Sequence, residues 1–510
     1  MTDFTARPKL LQPLDRAALI LILVLGLAIA LLILKGDRTA PHIRDFSWQN
    51  AHIGAEDTAF LLTFSRPMDR ASVEENLRLE PPLPGKFSWS GRRMAYTLEK
   101  PAPYGTQFEV RLQGARDRFS NPDDEQTAIE PFLGQFQTRD RAFVYLGVEG
   151  EQEGRLVLYN LTQQQEQVLT PEDLVVMDFE PYPEGDRVLF SATDRTAQQQ
   201  GSLDQRIYTV TTGIQVRSPA SLGEQQNENL TPAEPQPAGV VQQLLDSQDY
   251  QNLKFDLSPD GQTVIVQRVS RENPGADFGL WILQPDAAPR PLETEPGGDF
   301  LIAPDSSSVA IAQGQGMAIL PLDDQADPLD FLPQFGMVLS FSRDGTAAAM
   351  VRFNVEPQNP TRSLFLVTNQ GTEQELFRTD GSILSAEFDS TQQVLYCLMT
   401  ELLPTEAYLE QPYLIVVDLK TKERTNLLLL PIQRDIQMSL SPDGLGILFD
   451  QVVAETEEGN GSGVLRSQEG KAIASSKLWF LPVVLTADGT PASVEAQSLP
   501  LAGLRPHWLP

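Results

Sequence analysis

The sequence predicts a mainly β protein: an N-terminal transmembrane helix, a β-sandwich, and a seven-bladed β-propeller closed by a C-terminal strand. Three observations predict it. A single long apolar segment stands at residues 17–34, short alternating apolar runs fill residues 41–140, and one hairpin outline returns from residue 141 to the end. The clearest copy is FDLSPDGQTVIV, residues 255–266. At 510 residues the chain exceeds one core, since single cores stop growing near about 250–300 residues. Its 39 Lys plus Arg against 69 Asp plus Glu leave a net charge of -30. Such a field repels phosphate polymers, which argues against nucleic acid as a partner.

The apolar segment AALILILVLGLAIALLIL lies between Arg16 and Lys35 and holds neither charge nor proline. It approaches the length of about 20 residues that spans a bilayer and exceeds the roughly 7–15 apolar residues of a cleavable signal. We read an uncleaved signal anchor at 16–36 behind a cytoplasmic tail at 1–15. Arg7, Lys9 and Arg16 before it nearly balance Lys35, Arg38 and Arg44 after it, so charge alone leaves orientation open.

From residue 41 to 140, runs of period two divided by Pro, Gly and Asn predict strands at 59–64, 77–80, 86–90, 94–98, 107–112 and 133–138. That spacing suits a sandwich. The stretches LLTFSRPMDRASVEENLRLEP (61–81) and YTLEKPAPYGTQFEVRLQGARDRFSNP (96–122) resemble a bacterial Ig-like domain of the S-layer SbsA type. Phe64, Ser65, Pro67, Met68, Asp69, Tyr104, Gly105, Asp117, Asn121, Pro122 and residues 136–138 occupy the family's places, with Ser120 where Gly is frequent. The resemblance implies an exported module, hence an extracytoplasmic location for residue 37 onward. His42 and His52 lack any Cys, third His or acidic ligand pattern, so they read as surface residues rather than metal ligands.

Residues 141–510 carry the repeat: 179–190, 255–266, 300–311, 339–350, 386–397 and 438–449 share one template, and the final RPHWLP matches its first half. Anchors at Pro183, Pro259, Pro304, Arg343, Ser390, Pro442 and Pro510 are spaced near propeller periods of about 40–50 residues in the inner intervals. The corner has a physical reason, since Pro presets φ, Asp bonds nearby backbone and Gly accepts a positive φ. Ser258, Ser441, Asp260, Asp344 and Asp443 are therefore turn residues. A second strand series at 155–161, 206–212, 280–285, 317–322, 364–369, 413–419 and 478–484 brings the count to seven. Trp281 and Trp479 lie in that series and are expected in the core. The array opens at 142–148 on the second strand type and ends at 504–509 on the first, so pairing those two closes the ring. These hairpins resemble the TolB-type propeller repeat, seen also in the propellers of prolyl oligopeptidase and dipeptidyl peptidase enzymes. Arg343 and Ser390 depart from the Pro position, and 389–393 makes a poor corner. Oversized intervals at 193–205, 213–239 and 454–476 read as mobile loops.

No catalytic, metal or cofactor residue stands out, and the binding residues are not identified. The chain lacks a nucleophile elbow and a phosphate-binding loop; GNGSG at 459–463 does not fit the elbow, and His507 sits in the clasp strand. DDQADPLD at 323–330 reads as a solvated turn rather than a Ca²⁺ loop. Cys397, the lone cysteine, excludes an intrachain disulfide and reads as buried. The expectation is a single-pass inner-membrane protein, not an enzyme, whose bulk lies on the periplasmic side and binds or scaffolds an envelope protein, peptide or glycan. The competing reading is an envelope polymer hydrolase or lyase using channel carboxylates. Two carboxylates about 5–9.5 Å apart beside aromatic platforms would favour it, whereas an apolar-rimmed face would favour a protein partner.

Overall fold

The computed structural model describes residues 13–35, 40–118, 128–202, 204–214, 236–275, 277–314, 316–323, 330–356, 360–405, 408–433, 435–454, 473–485 and 491–510. A helix runs Pro13–Lys35. Its side chains are described at 17–27 and at 29, where Leu23 is 71% exposed. Among the described residues no helix is long and apolar enough to cross a membrane. Most of the solvated turn expected at 323–330, Asn121 with Pro122, GNGSG and most of the loops at 213–239 and 454–476 lie outside the described residues. The loop at 193–205 instead holds a short helix, Arg195–Gln199, capped by the Asp194 carboxylate.

Two four-stranded sheets follow the helix. One orders Ile43–Phe46, Ala59–Phe64, Arg93–Leu98 and Gly85–Ser90; the other orders His52–Ile53, Phe132–Thr138, Gln107–Leu112 and Leu77–Glu80. Alternation does the sorting. In AFLLTF, for example, Phe60, Leu62 and Phe64 are fully buried while their neighbours are not. They join Trp48, Phe108 and Phe136 in one core shared by both sheets. The six expected strands are present within a residue or so of their boundaries. The helix Arg70–Asn76 was not expected: Asp69 of the Pro-Met-Asp motif caps it by accepting from Ala71 N at 3.2 Å. His52 is half-buried in a strand beside Gln137.

Seven further four-stranded antiparallel sheets occupy the rest of the described chain, a propeller-like arrangement. Sheet 1 orders Gln165–Val168, Leu156–Asn160, Ala142–Gly147 and Gly503–Trp508. Sheets 2 to 7 each run outward in chain order, from first strands Leu174–Pro181, Tyr250–Leu257, Phe300–Ile302, Met337–Phe341, Ile383–Phe388 and Met438–Leu440. Second strands such as Val264–Ser270 and Val394–Leu402 are buried on both faces because a sheet lies on either side, which is why they read as unbroken apolar runs. Each interval between neighbouring sheets is its own core; Leu189 and Ile207 of sheet 2 meet Phe255 and Val266 of sheet 3. Cys397 is buried in one of them. Trp281 and Trp479 are half-buried and pack against two of these cores; Trp281 meets Tyr250 edge-on at 4.9 Å and Trp479 stacks on Phe449 at 6.3 Å between ring centres.

The corners work as the turn chemistry requires. Ser258 Oγ accepts from Thr263 N at 2.8 Å, Asp260 Oδ1 accepts from Gln262 N at 3.0 Å, and Gly261 takes φ +68°. Sheet 6, expected to have a poor corner, closes it by another route. Asp389 stands in the serine's place and accepts from Gln393 N and Val394 N at 2.8 and 2.9 Å, while Gln392 takes the positive φ of +56°.

The last strand pairs antiparallel with Ala142–Gly147, with Trp508 opposite Phe143 and Leu504 opposite Leu146. Trp508 is 3% exposed and meets Phe143 edge-on at 5.5 Å and Phe480 at 6.2 Å. Trp508→Ala is expected to cost about 3–5 kcal/mol in urea unfolding, whereas Leu133→Ala, 62% exposed in the sandwich, should stay within about 0.5 kcal/mol. Equal effects of the two changes would contradict the role given to the closing strand.

Candidate functional site

The first strands of the seven sheets carry register-equivalent residues just before their corners: Glu180, Asp256, Leu301, Ser340, Glu387, Ser439 and His507. Four of them reach the following sheet. Glu180 Oε2 accepts from Leu257 N at 3.1 Å, Asp256 Oδ2 from Ile302 N at 2.5 Å, Glu387 Oε2 from Leu440 N at 3.0 Å, and Ser439 Oγ from Trp508 N at 3.2 Å. In every case the donor lies one position further along the next first strand. His507 breaks the series for a covalent reason, because the equivalent residue after it is Pro181, which has no N–H. Two residues earlier along the strands, Arg505 pairs with Asp178 at 3.5 Å and Lys254 with Asp299.

These side chains border a central space, and burial dominates their titration. It raises Glu387 to about 7 against the Leu440 N–H bond that lowers it, and raises Asp256 to about 7. Burial, then the Asp256 charge, pushes Glu180 well above the carboxylate range. The His507 ring is exposed to the central space yet walled by protein, and desolvation lowers its imidazole to about 4. Asp450, 1% exposed, lies at the seam: it accepts from Gln437 N and Arg505 N, both at 2.7 Å, and burial still raises it to about 6.

The sandwich covers one mouth of this space. Arg343 Nη1 donates to Ala55 O at 3.0 Å, so one of the two residues that depart from the repeat's Pro reaches the sandwich. Asp443 Oδ1 makes the ordinary corner bonds to Ser441 Oγ and Leu445 N, while its Oδ2 accepts from Tyr104 N at 3.0 Å and Arg141 Nη2 at 2.6 Å. Arg139 donates to Pro510 O at 3.1 Å and pairs with Glu56 and with Glu184 at 3.6 Å. Gly105, at φ +71°, allows close approach, because a Cβ there would lie 2.6 Å from Thr162 Oγ1. A cavity of about 670 Å³ remains, bounded by Ala55, Glu56 and Tyr104 on one side and by Glu180, Ser340 and Glu387 on the other.

Of the corner residues singled out in sequence, Ser258, Ser441, Asp260 and Asp344 make the turn bonds expected of them. Asp443 does that and holds the sandwich as well. The inter-sheet acceptors were missed in sequence; their signal was the acidic residue recurring two places before the corner's first residue in FEP, FDL and EFD. Among the described residues, no group of three or more His, Cys, Asp or Glu side chains is placed to hold a metal ion.

No family model matches the chain, and no curated protein matches it. Solved structures with a similar arrangement include TolB from Acinetobacter baumannii, at 12% identity and TM-score 0.37 over 66% of this chain and 79% of that one. An oligogalacturonate lyase from Vibrio parahaemolyticus gives 11% identity and TM-score 0.43 over 69% and 92%. A 6-phosphogluconolactonase-like protein from Bacteroides fragilis, described as putative, gives 11% and 0.42 over 73% and 98%.

Asp443→Ala removes the acceptor of a largely buried pair and is expected to cost about 3 kcal/mol and to speed proteolysis between 138 and 142. Asp260→Ala, the same corner position without a sandwich contact, should cost about 1 kcal/mol; equal costs would refute the docking role. Because Glu387 is raised, the folded state holds a proton that the unfolded chain loses above the usual value of 4.5. Its contribution is therefore full below that pH and is lost as pH rises toward about 7. Glu387→Gln, which keeps a carbonyl acceptor for Leu440 N, should flatten the fall of Tm between these values and raise Tm at pH above 7; an unchanged slope would contradict the assignment.

Proposed function

We propose that the chain is a membrane-anchored envelope protein that binds or scaffolds a protein partner. In this reading the apolar segment 17–34, whose side chains are described only at 17–27 and 29, anchors it, an Ig-like sandwich spaces and caps, and the seven sheets form a seven-bladed propeller held on the periplasmic or extracytoplasmic side. The carrying observation is a set of exposed apolar side chains at the ends of sheets 5 to 7 opposite the sandwich. Second strands begin at the corners beside the sandwich and end at the far face. At those far ends and in the connections that follow stand Phe353 (44% exposed), Val355 (86%), Leu402, Tyr408 (59%), Leu409 and Val453 (51%). Solvent-exposed apolar groups gathered at one end of a fold mark a surface for another molecule.

The channel carboxylates support binding over polymer cleavage. Glu180, Asp256 and Glu387 each spend an oxygen on a neighbouring strand's N–H, and the mouth beside them lies under the sandwich. A glycosidase pair needs one carboxyl aimed at a leaving group and the other at a sugar carbon or water. Acceptors committed to backbone are poorly disposed for that.

Photo-crosslinkers placed in the full chain at 355 and 408 in cells should capture the same protein, and one placed at Leu133 on the sandwich should not. Tyr408→Glu should abolish capture from position 355. No common product at 355 and 408, or an identical one from 133, would overturn the reading.

A further inference from the structure

A second cavity, of about 590 Å³, lies where the sandwich meets sheets 1 and 2, away from the central space. Its lining is unlike the rest of the surface. In a chain of net charge -30, the cleft presents side-chain carboxamides: Gln137, Asn160, Gln163, Gln165, Gln167 and Gln236. It carries one guanidinium, Arg139, and one carboxylate, Asp140, so neither sign of charge dominates.

Part of this wall is fixed in place. Asp140 Oδ2 accepts from Asn160 Nδ2 at 2.7 Å and from Gln163 Nε2 at 2.6 Å, and Asn160 Oδ1 accepts from Gln163 N at 3.0 Å. Across the cleft Gln137 is held beside His52. Gln165 and Gln167, two residues apart on the outermost strand of sheet 1, project to one side of it. Their side chains make no hydrogen bond to any described residue.

We propose that this cleft binds a neutral oligosaccharide. Each primary carboxamide offers one acceptor and two donors in a plane, which matches the paired donor and acceptor character of neighbouring sugar hydroxyls. A charged ligand gains little from such a lining, and a peptide would want apolar pockets for alternate side chains, whereas the apolar part here is limited to Leu158, Ile214, Pro237 and Ala238. Among the described residues no Phe, Tyr or Trp ring lines the cleft, so a sugar face finds no broad stacking platform and affinity rests on hydrogen bonds that exchange with water at small net gain. This site is independent of the far-face protein surface.

The test uses the purified full chain, kept in a detergent without a sugar headgroup, titrated with maltohexaose, cellohexaose and chitotetraose and followed by saturation-transfer NMR. At least one oligosaccharide is expected to saturate with a Kd on the order of 1 mM. Gln165→Ala with Gln167→Ala, both at exposed positions, should weaken it by at least about tenfold with Tm unchanged; if the pair lowers Tm, Gln165→Ala alone takes its place. Gln135→Ala, an exposed sandwich amide outside the cleft, should leave it as it was. Three outcomes would each overturn the proposal: no saturable signal from any of the three sugars, equal binding by the glutamine variant, or preferential binding of a neutral Gly-Ser hexapeptide.

Discussion

A chain of four-stranded sheets laid around an axis has two loose ends, and the antiparallel seam between Gly503–Trp508 and Ala142–Gly147 joins them. Without that seam, Ala142–Gly147 would be left as an unpaired edge at the centre and Met438–Leu440 would lose the sheet on its open side. Two features lock it. Trp508 fills the angle between Phe143 and Phe480, and the buried Asp450 carboxylate, held by Gln437 N, takes the Arg505 N–H across from sheet 7. The last residues therefore contribute to two sheet interfaces at once, since Leu504 and Leu509 also lie in the core shared with sheet 2.

Around the same centre, carboxylates do work that backbone alone cannot. A first strand has one edge paired within its sheet and the other facing the axis, where its N–H groups lack strand partners. Glu180, Asp256 and Glu387 supply acceptors from the preceding sheet. Buried acceptors of this kind fix the spacing of neighbours more than they add net stability. The sandwich then rests on the corners rather than on the sheets, with Asp443, Arg343 and Pro510 as its contact points, so the cap depends on the ring being complete.

Much of this architecture was legible from residues alone because it is set locally. Alternation in AFLLTF and QFEVRL fixed which face of the sandwich strands turns inward, and the repeated Ser-Pro-Asp-Gly corner located first and second strands in register. What stayed hidden depends on neighbours distant in sequence. Asp443 and Asp260 occupy identical local patterns, yet only the first meets Tyr104 and Arg141, more than 300 positions away. Gln392 stands where glycine serves elsewhere, and Asp389 compensates by accepting from two successive N–H groups. The amide-lined cleft joins the sandwich to two sheets and leaves no local motif, apart from the glutamines of TQQQEQV, whose common direction shows only once that strand is placed at a sheet's outer edge.

Hydrogen exchange on the full chain tests the central claim most directly, by following peptides covering 142–147 and 503–508. If the seam closes the ring, both segments should exchange slowly and gain deuterium together, at the rate of the second strands of sheets 2 to 7. Fast exchange at 503–508 while 142–147 and the inner strands stay protected would mean that the array is held together without its final strand.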